Sequence, residues 1–306
     1  MAFREFDAVA LSRRSLLRSG AYLATGSALA SVPLGRAALA HHVTDAWPNV
    51  AAAANGYVSS GKVPNVLVTF GWRDEIPHIV GGGKIAFGND TAAGLDTLYR
   101  VYSMTKPIIS VLALRLVEQG VFRLNTPLSD LDKRFSKMRV LGTDGHLAPA
   151  DGVITIEHLL THRAGFSYDF TVGCPVAPYY RAAGIMGDGA RDLGELARAI
   201  SEQPLVFNPG QSWLYSVSTD VLAHVIECAT GKRIDALLAE HIFEPLCMVD
   251  TTFCLTADQK SRLMAIYGPR SISALPVLQK IPHDLSVQAD LAASHPQSDP
   301  NFRRGG

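Results

Sequence analysis

Two copies of a Ser-x-x-Lys pattern contain the residues of this sequence that are best suited to covalent chemistry. One pairs Ser59 with Lys62, and the other pairs Ser103 with Lys106. Residues three apart share one face of a helix, so a neutral lysine amine can take the proton of the serine hydroxyl and make that hydroxyl nucleophilic. Gly61 interrupts the first copy at a predicted helix end, where water would surround both groups. Only the second copy, which opens a long apolar helix, is a credible nucleophile site.

The predicted helix at the second copy covers residues 103–119 and ends at Gly120. Its N-terminus offers free backbone N–H groups and a positive dipole, which stabilise negative charge on Ser103 and disfavour a proton on Lys106. Pro107 suits the first turn, because its missing N–H removes no helical hydrogen bond. The alternative is a capping serine followed by a surface lysine, which the four-residue pattern alone leaves open.

Three segments of the chain carry a family resemblance. Residues 98–108 (LYRVYSMTKPI) resemble the nucleophile segment of class C beta-lactamases, family VIII carboxylesterases and DD-peptidase-like hydrolases. Residues 154–166 (ITIEHLLTHRAGF) are similar to a stretch that leads into the loop beside the active site, and residues 209–217 (PGQSWLYSV) to the segment with the catalytic tyrosine. Their order and spacing also match. The resemblance covers residues 50–306 and is closest to the carboxylesterases.

The resemblance implies a catalytic trio of Ser103, Lys106 and Tyr215. The phenol of Tyr215 would share the proton transfer, as base for Ser103 and as acid toward the leaving group. Whether Lys106 or Tyr215 is the general base stays open. The backbone N–H of Ser103 would be one oxyanion donor. From its own sequence context, Tyr215 would be an ordinary half-buried aromatic residue.

Val217 departs from the pattern of the beta-lactamases in this family. They carry asparagine two residues after the tyrosine, where an amide can bond the amide of the substrate, and valine has no such donor or acceptor. A site without that partner leaves polar groups of an amide substrate unpaired. We therefore expect hydrolysis of a small-molecule ester, with a beta-lactamase or DD-peptidase-like hydrolase as the alternative.

The chain is predicted to have four parts and an α/β (α+β) fold of the beta-lactamase/DD-peptidase type, an antiparallel sheet flanked by helices plus a helical domain. Residues 1–40 contain twin arginines and a small-residue cleavage site, which indicate a twin-arginine signal and export to the periplasm or beyond. A transmembrane anchor is the alternative. Residues 41–124 would form the first part of the α/β domain, 125–262 the helical domain and 263–306 an irregular tail.

Periodicity predicts the elements within these parts. Two alternating segments are expected to form a hairpin, with a bend or turn at the triple glycine of residues 81–83. The predicted strands cover residues 63–72 and 79–87, and the further predicted helices cover residues 50–60, 156–162, 193–202, 219–230 and 234–243.

The C-terminus is expected to lie too early for the complete family fold. The resemblance implies further sheet strands, a closing helix and a third motif of the KTG or HxG type, and the chain stops before them. A strand N–H from that region would be the second oxyanion donor, whose loss typically costs about 100- to 1000-fold in turnover. An inactive, truncated homologue that only binds ligand is therefore a further alternative.

Composition limits the range of partners. The chain has 47% hydrophobic and 18% charged residues, which is typical of a soluble enzyme. Its formal net charge is zero, so we expect no nucleic acid partner and no membrane contact after signal cleavage. Oligomeric state stays unknown. No motif indicates a cofactor or metal: His158 and His162 could share a helix face, yet the glutamate of HExxH is absent and structural roles are favoured. The four cysteines lack metal spacing, and Cys228 is expected in the core.

Overall fold

The structure is a computed structural model, and it describes residues 47–71, 78–186, 191–265, 267–268 and 286–287. Helices and antiparallel strand pairs are both present, as the predicted α/β class requires. The chain divides into two compact units, Met1–Asp96 and Thr97–Gly306. The predicted signal segment and most of the predicted tail lie outside the described residues. Among the residues that are described, no helix has the length and apolar character needed to cross a membrane.

The first unit contains one helix and the predicted hairpin. Helix α1 (Pro48–Ser59) is followed by strands β1 (Asn65–Phe70) and β2 (His78–Gly83), which pair in antiparallel register. Both strands are shorter than predicted. The ring of Trp47, just before α1, stacks on Phe70 at a centroid distance of 4.4 Å, which ties the start of the helix to the end of β1.

The triple glycine forms the second half of strand β2, where the backbone of the neighbouring chain segment comes very close. Gly81 and Gly83 have φ angles of 98° and 124°, a conformation that L side chains rarely adopt. A Cβ atom on Gly81 would collide with the carbonyl oxygen of Val66 on β1. Glycine is therefore required by the hairpin itself.

The second unit is mainly helical. A 3₁₀-helical turn (Tyr102–Met104) precedes the first helix, another (Lys133–Lys137) follows the second, and a π-helical turn (Ala239–Phe243) extends the seventh. The helices are α2 (Thr105–Glu118), α3 (Leu128–Leu131), α4 (Ile156–Leu160), α5 (Ala177–Ala182), α6 (Leu193–Ser201), α7 (Ser218–Thr230), α8 (Ile234–Leu238) and α9 (Ala257–Ser261).

Helix α7 forms the centre of this unit. All residues of its first nine positions are buried, and it packs against α2, α4, α6 and α8. Leu222 and Ile226 of α7 are fully buried with Ile109 and Leu112 of α2 and Leu159 of α4. Burial of one such side chain stabilises the fold by roughly 1.5–3 kcal/mol. The helix that carries Lys106 is thus held against the core along its length.

Some elements were not predicted from the sequence. Helix α2, which the predicted boundaries place with the hairpin in residues 41–124, packs on helices of the second unit. The domain boundaries stay a prediction. Two strand pairs were not predicted: β3 (Arg139–Leu141) with β4 (Leu147–Pro149), and β5 (Tyr267–Gly268) with β6 (Ser286–Val287). Strands of two or three residues are too short for alternation to reveal.

Candidate active site

Ser103 and Lys106 lie together at the start of helix α2. Ser103 is in the 3₁₀ turn just before the helix, and Lys106 is the second helical residue. The Nζ atom of Lys106 donates a hydrogen bond to the Oγ atom of Ser103 over 3.2 Å. Lys106 is only 7% exposed, whereas Ser103 is exposed. A buried amine therefore touches an accessible hydroxyl, as the pattern predicted.

The helix begins two residues later than the sequence predicted. Tyr102 has a φ angle of 41°, which lies in the left-handed region and cannot continue an α-helix. Such a non-glycine conformation costs about 1–3 kcal/mol and persists where the surrounding structure enforces it. Tyr102 begins the 3₁₀ turn that runs through Ser103 to Met104, and the regular helix starts at Thr105.

Tyr215 lies beside the amine, although it is more than one hundred residues away in sequence. Lys106 Nζ is 4.9 Å from the ring centroid of Tyr215 and 5.7 Å from that of Tyr168. The two tyrosine rings are 5.5 Å apart. The amine therefore lies over the faces of both rings. The structure thus brings all three predicted residues to one place.

Tyr168 is a site residue that the sequence reasoning missed. It is almost fully buried and stacks on Phe170 at 4.7 Å. Its signal in the sequence is its position two residues beyond Phe166, where the second family-like segment was taken to end.

The two histidines of that segment have separate roles. The Thr155 side chain accepts the backbone N–H of His158, and the His158 ring accepts the backbone N–H of Thr155, which caps helix α4. His162 lies beyond the helix end with a φ angle of 55°, and its Nδ1 accepts the backbone N–H of Ser216 over 3.2 Å. The two rings are therefore not a ligand pair on one helix face.

The electrostatics of His162 follow from its position. Burial, and then the positive charge of Lys106, lower the pKa of His162 to about 4. The imidazole is therefore neutral at neutral pH. Its ring centroid lies 4.9 Å from that of Tyr215, in a tilted contact.

Val217 and Trp213, each two residues from Tyr215 in sequence, differ in exposure. Val217 is fully buried in the core, so it presents no polar atom to a ligand. Trp213 is 61% exposed and contacts the His162 ring edge-on at 6.4 Å. The indole therefore lies at the surface and does not pack beneath the site.

The oxyanion donors stay a prediction. The backbone N–H of Ser103 is the candidate donor, at the start of the 3₁₀ turn and helix. Among residues 47–268 with their gaps, and at 286–287, we assign no second donor.

A separate polar cluster lies at the end of helix α7. The donor atoms of Asp132, His224 and Cys228 lie within 4.8 Å of one another. The Nη2 atom of Arg134 is 2.7 Å from the Asp132 carboxylate and 2.9 Å from the His224 ring, so a guanidinium fills the position a cation would take. Burial raises the pKa of Asp132, but hydrogen bonds from Arg134 and His224 outweigh it and lower that pKa. Cys228 is exposed beside this cluster, so its predicted core position was wrong.

Comparison with known proteins identifies relatives of this chain by sequence. Over 162 residues the chain is 37% identical to "Esterase EstB" from Burkholderia gladioli, which covers 52% of this chain and 39% of EstB. Over 176 residues it is 36% identical to "Acyltransferase mokF" from Monascus pilosus, covering 56% of this chain and 41% of mokF. The chain thus spans less than half the length of these two relatives.

The fold is also found in solved structures. That of "EstCE1, a hydrolase with promiscuous acyltransferase activity" superposes with a TM-score of 0.68 at 22% identity, over 85% of this chain and 67% of that one. The sequence profile of the Beta-lactamase family matches residues 77–294, which include Ser103, Lys106 and Tyr215. The chain therefore belongs to the Beta-lactamase family.

Proposed function

We propose that this chain is a serine hydrolase that cleaves carboxylic esters through an acyl-enzyme on Ser103. The observation that carries the proposal is the 3.2 Å contact between the buried amine of Lys106 and the accessible hydroxyl of Ser103. A hydroxyl becomes a competent nucleophile when an adjacent base takes its proton, and this contact lies within the distance that such a transfer requires.

The reaction would proceed in two steps. Ser103 Oγ attacks the ester carbonyl carbon while its proton passes to Lys106 Nζ or to the oxygen of an ionised Tyr215. The bond between the carbonyl carbon and the alcohol oxygen then breaks, and the alcohol leaves with that proton. In the second step water attacks the acyl carbon and gives up a proton to the same base. The bond between that carbon and Ser103 Oγ breaks, the base returns the proton to Oγ, and the carboxylic acid leaves.

The aromatic rings lie where they would stabilise the charge that forms when Lys106 takes the serine proton. An amine that takes the serine proton gains a positive charge, and the faces of Tyr215 and Tyr168 lie within 6 Å of it. A cation at this distance from an aromatic ring gains about 0.5–2 kcal/mol. Tyr215 remains the second candidate for the same proton, since its ring lies against the amine.

An ester is favoured over a β-lactam as substrate by two observations. Val217 is fully buried and apolar, so position 217 supplies no hydrogen bond for an amide group. The relatives named above include an esterase and an acyltransferase. An acyltransferase uses an alcohol in place of water in the second step. Water and an alcohol are therefore both tested as acyl acceptors.

The test is covalent labelling with a fluorophosphonate, which traps an activated serine. The full chain is purified and labelled, and the adduct is located by mass spectrometry. We expect an adduct on Ser103 that Ser103→Ala abolishes. Ser59→Ala is the matched control, because Ser59 belongs to the other Ser-x-x-Lys copy and is exposed; its labelling should equal that of the wild type.

Substrate choice is measured on the same samples. We expect kcat/KM for p-nitrophenyl butyrate to exceed that for nitrocefin by about 100-fold or more, as for a site that lacks a polar partner of the amide. Added primary alcohol separates hydrolysis from acyl transfer. A folded sample without label on Ser103 would contradict the proposal and favour an inactive homologue that only binds ligand.

A further inference from the structure

His162 is bonded to the residues on both sides of Tyr215. The backbone N–H of Leu214 donates to the His162 carbonyl oxygen over 3.0 Å. The backbone N–H of Ser216 donates to His162 Nδ1 over 3.2 Å. One histidine therefore holds the chain immediately before and immediately after the tyrosine.

The imidazole also contacts the side chain of Tyr215. The two ring centroids are 4.9 Å apart with a 38° angle between the planes. Tyr168 contacts the same tyrosine at 5.5 Å. The Tyr215 ring thus has His162 and Tyr168 as aromatic neighbours, and His162 also bonds the backbone of the residues on either side of Tyr215.

The neutral state of His162 fixes which ring nitrogen carries the proton. Its Nδ1 accepts the Ser216 N–H, so the single proton of the neutral ring lies on Nε2. A second proton on Nδ1 would face the Ser216 N–H, which already points at that nitrogen. These contacts are therefore compatible only with the neutral ring.

The backbone at position 162 lies in the left-handed region. Its φ angle of 55° is uncommon outside glycine, and asparagine, aspartate and histidine adopt it more often than other residues do. This turn follows helix α4 and directs the His162 carbonyl toward Leu214. Asparagine can adopt the same turn and can place an acceptor oxygen near the Ser216 N–H, but it has no ring to contact Tyr215, so His162→Asn removes the ring contact selectively.

We propose that His162 is a positioning residue that fixes the Tyr215 phenol relative to Ser103 and Lys106. It exchanges no proton itself and acts through Tyr215 alone. The proposal rests on the proposed function, because it presumes that Tyr215 takes part in proton transfer. Displacement of a catalytic group by 1 Å can reduce the rate by about 100-fold.

A double-mutant cycle tests whether His162 acts through Tyr215. The variants are His162→Asn, Tyr215→Phe and the double variant, with kcat, KM and melting temperature measured for each. We expect His162→Asn to lower kcat about 10- to 100-fold, with KM and melting temperature nearly unchanged, and to cause no further loss in the Tyr215→Phe background. His146→Asn, at an exposed histidine, is the matched control and should leave kcat unchanged.

Equal losses in both backgrounds, or no loss in either, would overturn the proposal. A second measurement does not depend on activity. In protein labelled with 3-fluorotyrosine, the Tyr215 signal is identified by its loss in Tyr215→Phe. We expect His162→Asn to shift or broaden this signal, and an unchanged signal would overturn the proposal. If Ser103 takes no fluorophosphonate while the signal still moves, the proposed function fails and the hold of His162 on Tyr215 stands.

Discussion

The two Ser-x-x-Lys copies differ in what surrounds the amine. Lys62 is exposed, and its Nζ lies 5.3 Å from the ring of Tyr57. Lys106 is buried, contacts two rings and donates to Ser103. The spacing is the same in both copies, so the helix and core around the second lysine separate a candidate base from a surface residue.

His162 should make the free energy of unfolding depend on pH in mild acid. Its pKa is about 4 in the folded state against 6.5 ordinarily, so the unfolded chain binds more protons between these values. The free energy of unfolding should therefore rise as pH increases from 4 to 6.5 and fall as pH decreases through that window. His162 is only partly buried, so after solvent screening we expect on the order of 1 kcal/mol.

Urea denaturation at pH 4.5, 5.5 and 7 measures this effect. His162→Asn should flatten the dependence, and His146→Asn should leave it as in the wild type. Burial also lowers the pKa of His158, so the difference between wild type and His162→Asn isolates one histidine. Asp132, with its pKa lowered from 3.8, contributes stability that is lost only below this window. Parallel curves for wild type and His162→Asn would contradict the prediction.

At the scale of elements, local signals account for the helices that the sequence predicted. Helix α7 was predicted at residues 219–230 and begins one residue earlier. Helix α4 starts at the residue after Thr155, whose side chain caps it. Such signals lie within a few residues of one another, so a single sequence reveals them.

The cap of helix α4 can be tested by substitution. Thr155→Ala removes the acceptor for the His158 N–H and should lower the free energy of unfolding by about 1 kcal/mol. Thr155→Ser keeps a hydroxyl and should retain most of the stability. The midpoint of urea denaturation reports both. If the alanine and serine variants unfold at the same urea concentration, the cap does not stabilise the helix.

Other elements depend on contacts that no local pattern shows. The first two residues of the predicted helix, Ser103 and Met104, lie in a 3₁₀ turn that begins at the positive-φ residue Tyr102, so the regular helix α2 begins at Thr105. Strand β3 pairs with β4 over three residues only. Both features follow from packing and pairing, which periodicity does not report.

At the scale of the whole molecule, the site combines segments from three parts of the chain. The spacing of Ser103 and Lys106 predicted their contact, and the family resemblance predicted Tyr215. His162 and Tyr168 could not be assigned from their types, because their roles arise only when residues about fifty positions apart come together. The sequence thus predicted residues that the structure brings together, whereas the side chains around them could not be predicted.

All four cysteines are free thiols, although the sequence predicts export to an oxidising compartment. Cys174 is partly buried, and Cys228, Cys247 and Cys254 are exposed. Removal of a native disulfide typically costs about 2–5 kcal/mol, so a chain that contains one loses stability on reduction. Because none of these four cysteines is paired in the structure, a reductant would have no disulfide to break.

Reductant should therefore leave the melting temperature unchanged. Thermal unfolding with and without dithiothreitol measures this, and a thiol count on the denatured, unreduced chain should give four. A lower melting temperature in reductant, together with two or no free thiols, would mean that the exported protein forms a disulfide.

The left-handed turn at Tyr102 limits which substitutions can spread at that position during evolution. Its φ angle of 41° is easily adopted by glycine or asparagine and is strongly resisted by valine or isoleucine, whose branched Cβ crowds the backbone. Lineages can therefore drift toward small or amide side chains next to Ser103 without losing the turn. Drift toward branched apolar residues is disfavoured at this position.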